Sequence, residues 1–320
     1  MRKLNAAALV ILAAIFASCA TAPRLPAPSV EDDLPPEFSL LPAGGSVYLW
    51  ADTVTARPLL DALDFRGMSG NDAAAILNRT ESAAAVVFDD SHDRGFFLSA
   101  AGNYPRGRAN FAFAFSRHWR RHKGYGKQTY WLSRDGAFAV SLGRRVALVS
   151  DKDPFENFQR VIPPPAFAEF RNGMALAGWV NNPAAPISNF LSVMGVPIQI
   201  PAQDLFFGAA NVPKSPQAGE TAALWDISLH LRTPSALHAR SLFALVSTAR
   251  IFILQSGASG AEGNTPSQTG EISPNLHDAA MLLFANAPEL HGEYLTFRIN
   301  SVDETRISLL FQIFSVYSKN

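Results

Sequence analysis

From residue 44 onward, short apolar runs alternate with polar breaks, and the period of each run predicts its element. Ser46–Ala51 (SVYLWA) predicts a strand ended by Asp52. Leu59, Leu60 and Leu63 have helical spacing within 55–63, and Asn71 caps a second helical piece over 72–78. Strands follow at 82–88 and 96–101, separated by the polar turn Asp89–Gly95. The spacing predicts a helix over 106–118, broken at Lys123-Gly124-Tyr125-Gly126. Short strands are predicted at 130–134, 137–142 and 146–149, with tight turns at Asp135-Gly136 and Gly143. Asp153-Pro154 opens a short helix, with proline at its first position.

Ile162-Pro163-Pro164-Pro165 reads as a hinge, after which a similar order restarts. Strands are predicted at 174–180, 205–212, 221–231 and 293–299, with Ile227, Leu229 and Leu231 on one face of the third. Helices are predicted from Asn181-Asn182-Pro183 to 194, from Pro234 to 254, over 276–286, and over 302–317. The last carries Ile307, Leu310, Phe311 and Phe314 on one stripe. Residues 256–274, rich in Gly, Ser, Thr and Gln, read as a flexible insertion. Each half runs strand–helix–strand–strand–helix–strand before a closing helix, and each has a Trp near the end of its first strand, Trp50 and Trp179. The expected fold is α+β: a tandem pair of β-α-β-β-α-β units in ferredoxin-like order, with antiparallel sheets and a C-terminal helix. The expected units are 45–162 and 174–320, joined by a linker over 163–173.

The N-terminus has a different pattern. Arg2 and Lys3 precede an apolar run of eleven, Ala6–Phe16, which is half the length of a spanning helix. A basic start, a short apolar run and small residues after it predict a signal peptide over 1–18. Residues 19–44 carry prolines at 23, 26, 28, 35, 36 and 42 and read as an extended tether. Phe16-Ala17-Ser18-Cys19 resembles the lipobox of bacterial lipoproteins, in a looser, spirochaete-type form with Phe16 where an aliphatic residue is usual. That resemblance covers only about the first 22 residues. It implies removal of the signal before Cys19, diacylation of its sulfur with palmitate-type chains, and acylation of the new amino group. Two or three chains anchor stably where one does not. It also implies a cell-envelope address. Ala20, where aspartate would signal retention at the inner membrane, tilts that address toward the outer membrane.

Composition narrows the picture further. Twenty-seven basic residues balance 27 acidic ones, so no global charge draws the chain to nucleic acid. Loss of Arg2 and Lys3 with the signal would leave 25 basic against 27 acidic residues. Cys19 is the single cysteine, which excludes an internal disulfide and cysteine-ligated zinc or iron–sulfur sites. The 23 phenylalanines supply material for a large core, for an apolar groove or for contact with a bilayer.

Candidate chemistry is sparse. The turn Asp89-Asp90-Ser91-His92-Asp93 resembles an oxygen-rich cation loop but lacks the glycine and the distant glutamate of an EF-hand, and reads more simply as a solvated turn. The segment from Arg117 to Lys127 holds five fixed cations, Arg117, Arg120, Arg121, Lys123 and Lys127, with two histidines and two aromatics. At the end of a helix, such a run reads either as a solvated cationic cap or as a site for lipid headgroups or an envelope polyanion. His118 and His122 have metal-pair spacing on a helix, but the surrounding cations disfavour a divalent ion. The apolar stretches 111–115, 242–254 and 307–317 are explained most economically as core.

No G-x-S-x-G, H-E-x-x-H or Walker-type motif occurs. The expectation is therefore a lipid-anchored envelope protein with a non-enzymatic binding or structural role. It has no catalytic residue, metal or cofactor, and its partner is the membrane reached through its anchor. The alternatives are a lipoprotein that engages a membrane or a lipid through its apolar helices and the 117–127 run, and an envelope enzyme without a recognisable motif.

Overall fold

Twelve strands and a few helices make up the computed structural model, which describes residues 37–62, 74, 76–89, 94–156, 159–185, 187–188, 199–212, 223–259, 281–303 and 306–307. The predicted signal peptide, Cys19, the tether up to residue 36, the tip of the Asp89–Asp93 turn, the insertion from 260 on and the C-terminal helix beyond Ile307 lie outside them. The chain divides into two units, Met1–Leu176 and Ala177–Asn320.

In the first unit β1 (Val47–Asp52), α1 (Arg57–Ala62), β2 (Thr80–Asp89) and β3 (Arg94–Gly102) come first. They are followed by α2 (Arg106–Phe115), β4 (Trp119–Lys123), β5 (Thr129–Ser133), β6 (Ala139–Leu142), β7 (Val146–Ser150) and α3 (Pro165–Arg171). The strands lie in the order β1-β2-β3-β7-β6-β5-β4. Every described pair among them is antiparallel, with Leu49 opposite Ala85, Ala84 opposite Ser99 and Leu98 opposite Val149.

This order overturns the ferredoxin-like expectation. That fold needs its helices to return the chain to parallel strands. Here the segment containing α1 returns it antiparallel, β1 onto β2, and β4 to β7 form a plain meander. The unit is mostly sheet.

Two apolar layers hold the first unit. On one, Phe113 of α2 packs edge-on against Trp119 at 4.8 Å between ring centres and stacks on Trp131 at 5.5 Å. Ala100, Tyr104, Ala109, Val140, Leu142 and Ala147 complete that cluster. Burial pushes the Tyr104 phenol up to about 12, against a hydrogen bond with Thr80 that lowers it and nearby Glu81 and Glu37 that raise it. In the other layer Phe38 meets Tyr48 and Phe167. There the buried Glu37 accepts the Trp50 indole N–H at 3.1 Å, and the Arg171 guanidinium sits 4.6 Å over the same ring.

The second unit contains β8 (Leu176–Asn181), β9 (Asp204–Val212), β10 (Leu224–Arg232), α4 (Ala236–Ser259), β11 (Glu289–His291) and β12 (Tyr294–Val302), with the strands ordered β11-β12-β10-β9-β8. β12, β10 and β9 pair antiparallel, aligning Leu295, Leu231 and Leu205 across the sheet. Leu242 of α4 packs against Leu231 and Leu295 together with Ile200 and Ala202. The alternation in 221–231 set this register, because a one-residue slip would turn Leu231 out of the core. Ser235 caps α4, its hydroxyl accepting from the His238 backbone N–H. Here too a buried carboxylate takes an indole N–H: Trp179 donates to Asp204 at 2.8 Å. Arg232 closes the group with two bonds to the other oxygen of Asp204.

Candidate binding face on the first unit

The 117–127 cation run does not cap a helix. α2 ends at Phe115, because Ser116 turns extended (φ −79°, ψ 131°). Trp119–Lys123 is a strand, the last in its order, and so an edge. The favourable helix-end position expected for these cations is therefore absent. His118 and His122 do not share a helix face, since His118 lies in the turn before β4 and His122 lies within the strand. Extended backbone of about 3.3 Å per residue separates them by roughly 13 Å.

β4 and β5 form a hairpin that sorts the run. Arg121 lies opposite Trp131, which packs on α2, whereas His122 lies opposite Tyr130, whose ring meets Phe155. Strand alternation places Trp119, Arg121 and Lys123 on the α2 side and Arg120 and His122 on the other. Arg117 lies in the connection from α2, and Lys127 lies in the turn of the hairpin. The structure thus brings Arg121 and Lys123 together beside α2, turns Arg120 to the opposite face, and sets Arg117 and Lys127 at the strand's two ends. All five side chains are exposed. None forms an ion pair among the described residues.

The hairpin turn is a strained one. Gly126 (φ 63°) and Lys127 (φ 64°) are both left-handed, the pattern of a type I′ turn. Gln128 donates to the Tyr125 carbonyl across it, at 3.4 Å. Asp153 holds the base, taking the Tyr125 N–H at 3.2 Å. The Tyr125 ring stands 62% exposed at the tip.

α2 adds an element that the sequence reading assigned to the core. Phe113 is fully buried, but Phe111 and Phe115 are 66% and 75% exposed, their rings 4.4 Å apart. Arg106 and Arg108 are exposed on the same helix. The signal was present in Phe111-Ala112-Phe113-Ala114-Phe115. At about 100° per residue, positions 111 and 115 share a face and position 113 opposes them, so three alternating phenylalanines cannot all enter one core. An exposed aromatic pair on a helix, beside an edge strand of exposed cations, suits an interface that is apolar below and anionic above.

Elsewhere, burial pushes the His230 imidazole down, helped by Arg298 and His291 and opposed by Glu289. Glu289 pairs with His291 at 3.2 Å and with Arg298 at 3.7 Å. Among the described residues no group of three or more His, Cys, Asp or Glu side chains is placed to hold a metal ion. No described helix is long and apolar enough to cross a membrane.

No protein-family model and no curated protein matches the sequence. Solved structures do match. Crystal form III of TP0453, a Treponema protein, superposes with a TM-score of 0.54 at 16% identity, covering 88% of this chain and 100% of that one. Crystal form IV gives 0.53 at 16% identity over 86% of this chain and 96% of that one. Crystal form I gives 0.51 at 15% over 87% and 98%. At this identity the likeness is one of fold.

Proposed function

We propose that this chain is a lipid-anchored, non-enzymatic protein of the bacterial cell envelope, and that its first unit binds an anionic membrane surface through α2 and the β4–β5 hairpin. One observation carries the reading: Phe111 and Phe115 stand side by side in solvent on a helix packed against a strand whose exposed cations form no ion pair among the described residues. Near an anionic leaflet each such cation contributes about 1 kcal/mol. Burial of a phenylalanine side chain contributes about 1.5–3 kcal/mol. The lipobox-like FASC sequence supports the anchor, and Ala20 after Cys19 favours the outer membrane over the inner. The tether would let the first unit reach the leaflet that holds the anchor.

Two measurements test this. Replacing Cys19 by Ser should block acylation and removal of the signal; equal processing and equal incorporation of labelled palmitate would sink the anchor. The chain from residue 20 on, made without the signal and so unacylated, should cosediment with phosphatidylglycerol vesicles and not with phosphatidylcholine vesicles. Phe111→Ala with Phe115→Ala should weaken that binding tenfold or more, and Arg121→Ala with Lys123→Ala several-fold. Failure to bind vesicles of any composition would overturn the membrane reading.

A further inference from the structure

β4 ends its sheet, and among the described residues no strand pairs with its outer edge. The Gly124 N–H donates to Gln128 O at 2.7 Å and the Arg134 N–H donates to His118 O at 2.9 Å. Those two contacts set the phase of the ladder. Residues 118, 120, 122 and 124 direct their backbone groups at β5, and the alternate residues 119, 121 and 123 direct theirs away from it. The Trp119 N–H turns back to Ser116 O at 3.5 Å. The N–H and C=O of Arg121 and of Lys123 therefore face the open edge. The side chains along that edge are Arg120, Arg121, His122 and Lys123.

An open row of donors and acceptors is a template for another strand, and its side chains decide which strand it accepts. A second copy pairing antiparallel about Arg121 would set Arg121 against Arg121. Like charges directly opposite are destabilising. The edge thus rejects itself and suits carboxylates.

We propose that β4 accepts an extended acidic polypeptide segment as an added strand. Main-chain bonds to Arg121 and Lys123 hold it, and its Asp or Glu side chains lie beside Arg120, Arg121 and Lys123. This uses backbone groups that the membrane reading does not need, so the two can fail separately.

The probe is the dye-labelled peptide (Val-Glu)4-amide, with dye-labelled (Val-Lys)4-amide as control, titrated by fluorescence anisotropy with the unacylated chain from residue 20 on. The acidic peptide should bind and the basic one should not. Arg121→Gln removes the charge and keeps the N–H, and should weaken peptide binding several-fold. Arg121→Pro removes the same charge and also the outward N–H, without touching the β4–β5 ladder, and should abolish it. Binding to phosphatidylglycerol vesicles should fall equally in both variants, since each loses one cation.

If Arg121→Pro does not fold, an acidic peptide N-methylated at every residue gives the same test on the unsubstituted edge: charge is kept, N–H donation from either edge of the peptide is lost, and binding should disappear. The proposal is overturned if the acidic peptide does not bind at millimolar concentration, if the N-methylated peptide binds as well as its parent, or if only vesicles bind.

Discussion

At the scale of single residues, two side chains sit at odds with their surroundings. Lys127 occupies a left-handed position that suits glycine or asparagine. Lys127→Asn should therefore stabilise the protein by about 0.5–1 kcal/mol, read as a higher urea midpoint, because asparagine tolerates this backbone region better. A residue kept there against local preference puts a cation at the tip of the hairpin, beside the exposed Tyr125. His230 is the second. Its imidazole is held below its ordinary value of 6.5, so the folded state resists protonation. As pH falls through 6.5 the unfolded chain binds the proton first, and stability falls with it. Urea midpoints measured from pH 8 down to pH 5 should decline, and His230→Gln should flatten that decline.

At the scale of elements, α2 carries a buried and an exposed aromatic face within ten residues. Phe113→Ala should cost about 3–5 kcal/mol, because its ring fills the space between Trp119 and Trp131. Phe111→Ala and Phe115→Ala should each change stability by about 0.5 kcal/mol or less, while reducing vesicle binding. Chemical denaturation and cosedimentation on the same three variants check both halves of this contrast. Elements whose apolar period matched their burial were legible in the sequence: β1, β2, β3 and β9 lie within two residues of their expected spans. β4 was not. Four of its five residues are ionisable, and strand alternation has no apolar partner to show itself against when the strand is an edge. α3 was hidden in the proline hinge, although Pro165 at its start is a normal helix opening and Phe167 and Phe170 mark its buried side.

At the scale of the whole molecule, a chain of zero net charge carries an uneven distribution of it. Seven exposed cations gather on α2, its connection and the β4–β5 hairpin: Arg106, Arg108, Arg117, Arg120, Arg121, Lys123 and Lys127. Vesicle binding by the unacylated chain should therefore be reversed by salt, as screening length falls from about 10 Å at 0.1 M to about 3 Å at 1 M. Retention on vesicles at 1 M NaCl would mean that the phenylalanines dominate. Several strands of each half were legible, but their pairing was not. A strand–helix–strand sequence is compatible with parallel or antiparallel return, and nothing in the residues between 57 and 80 distinguishes the two. The pairing of β3 with β7 has a kinetic meaning of its own. It encloses α2, β4, β5 and β6 as one excursion of the chain between neighbouring strands, so this segment can open and reclose while β1, β2 and β3 stay paired. Amide hydrogens of β4 and β5 should then exchange with solvent deuterium by partial opening, faster than those of β2, and anything seated on the hairpin would be read out first as slowed exchange there.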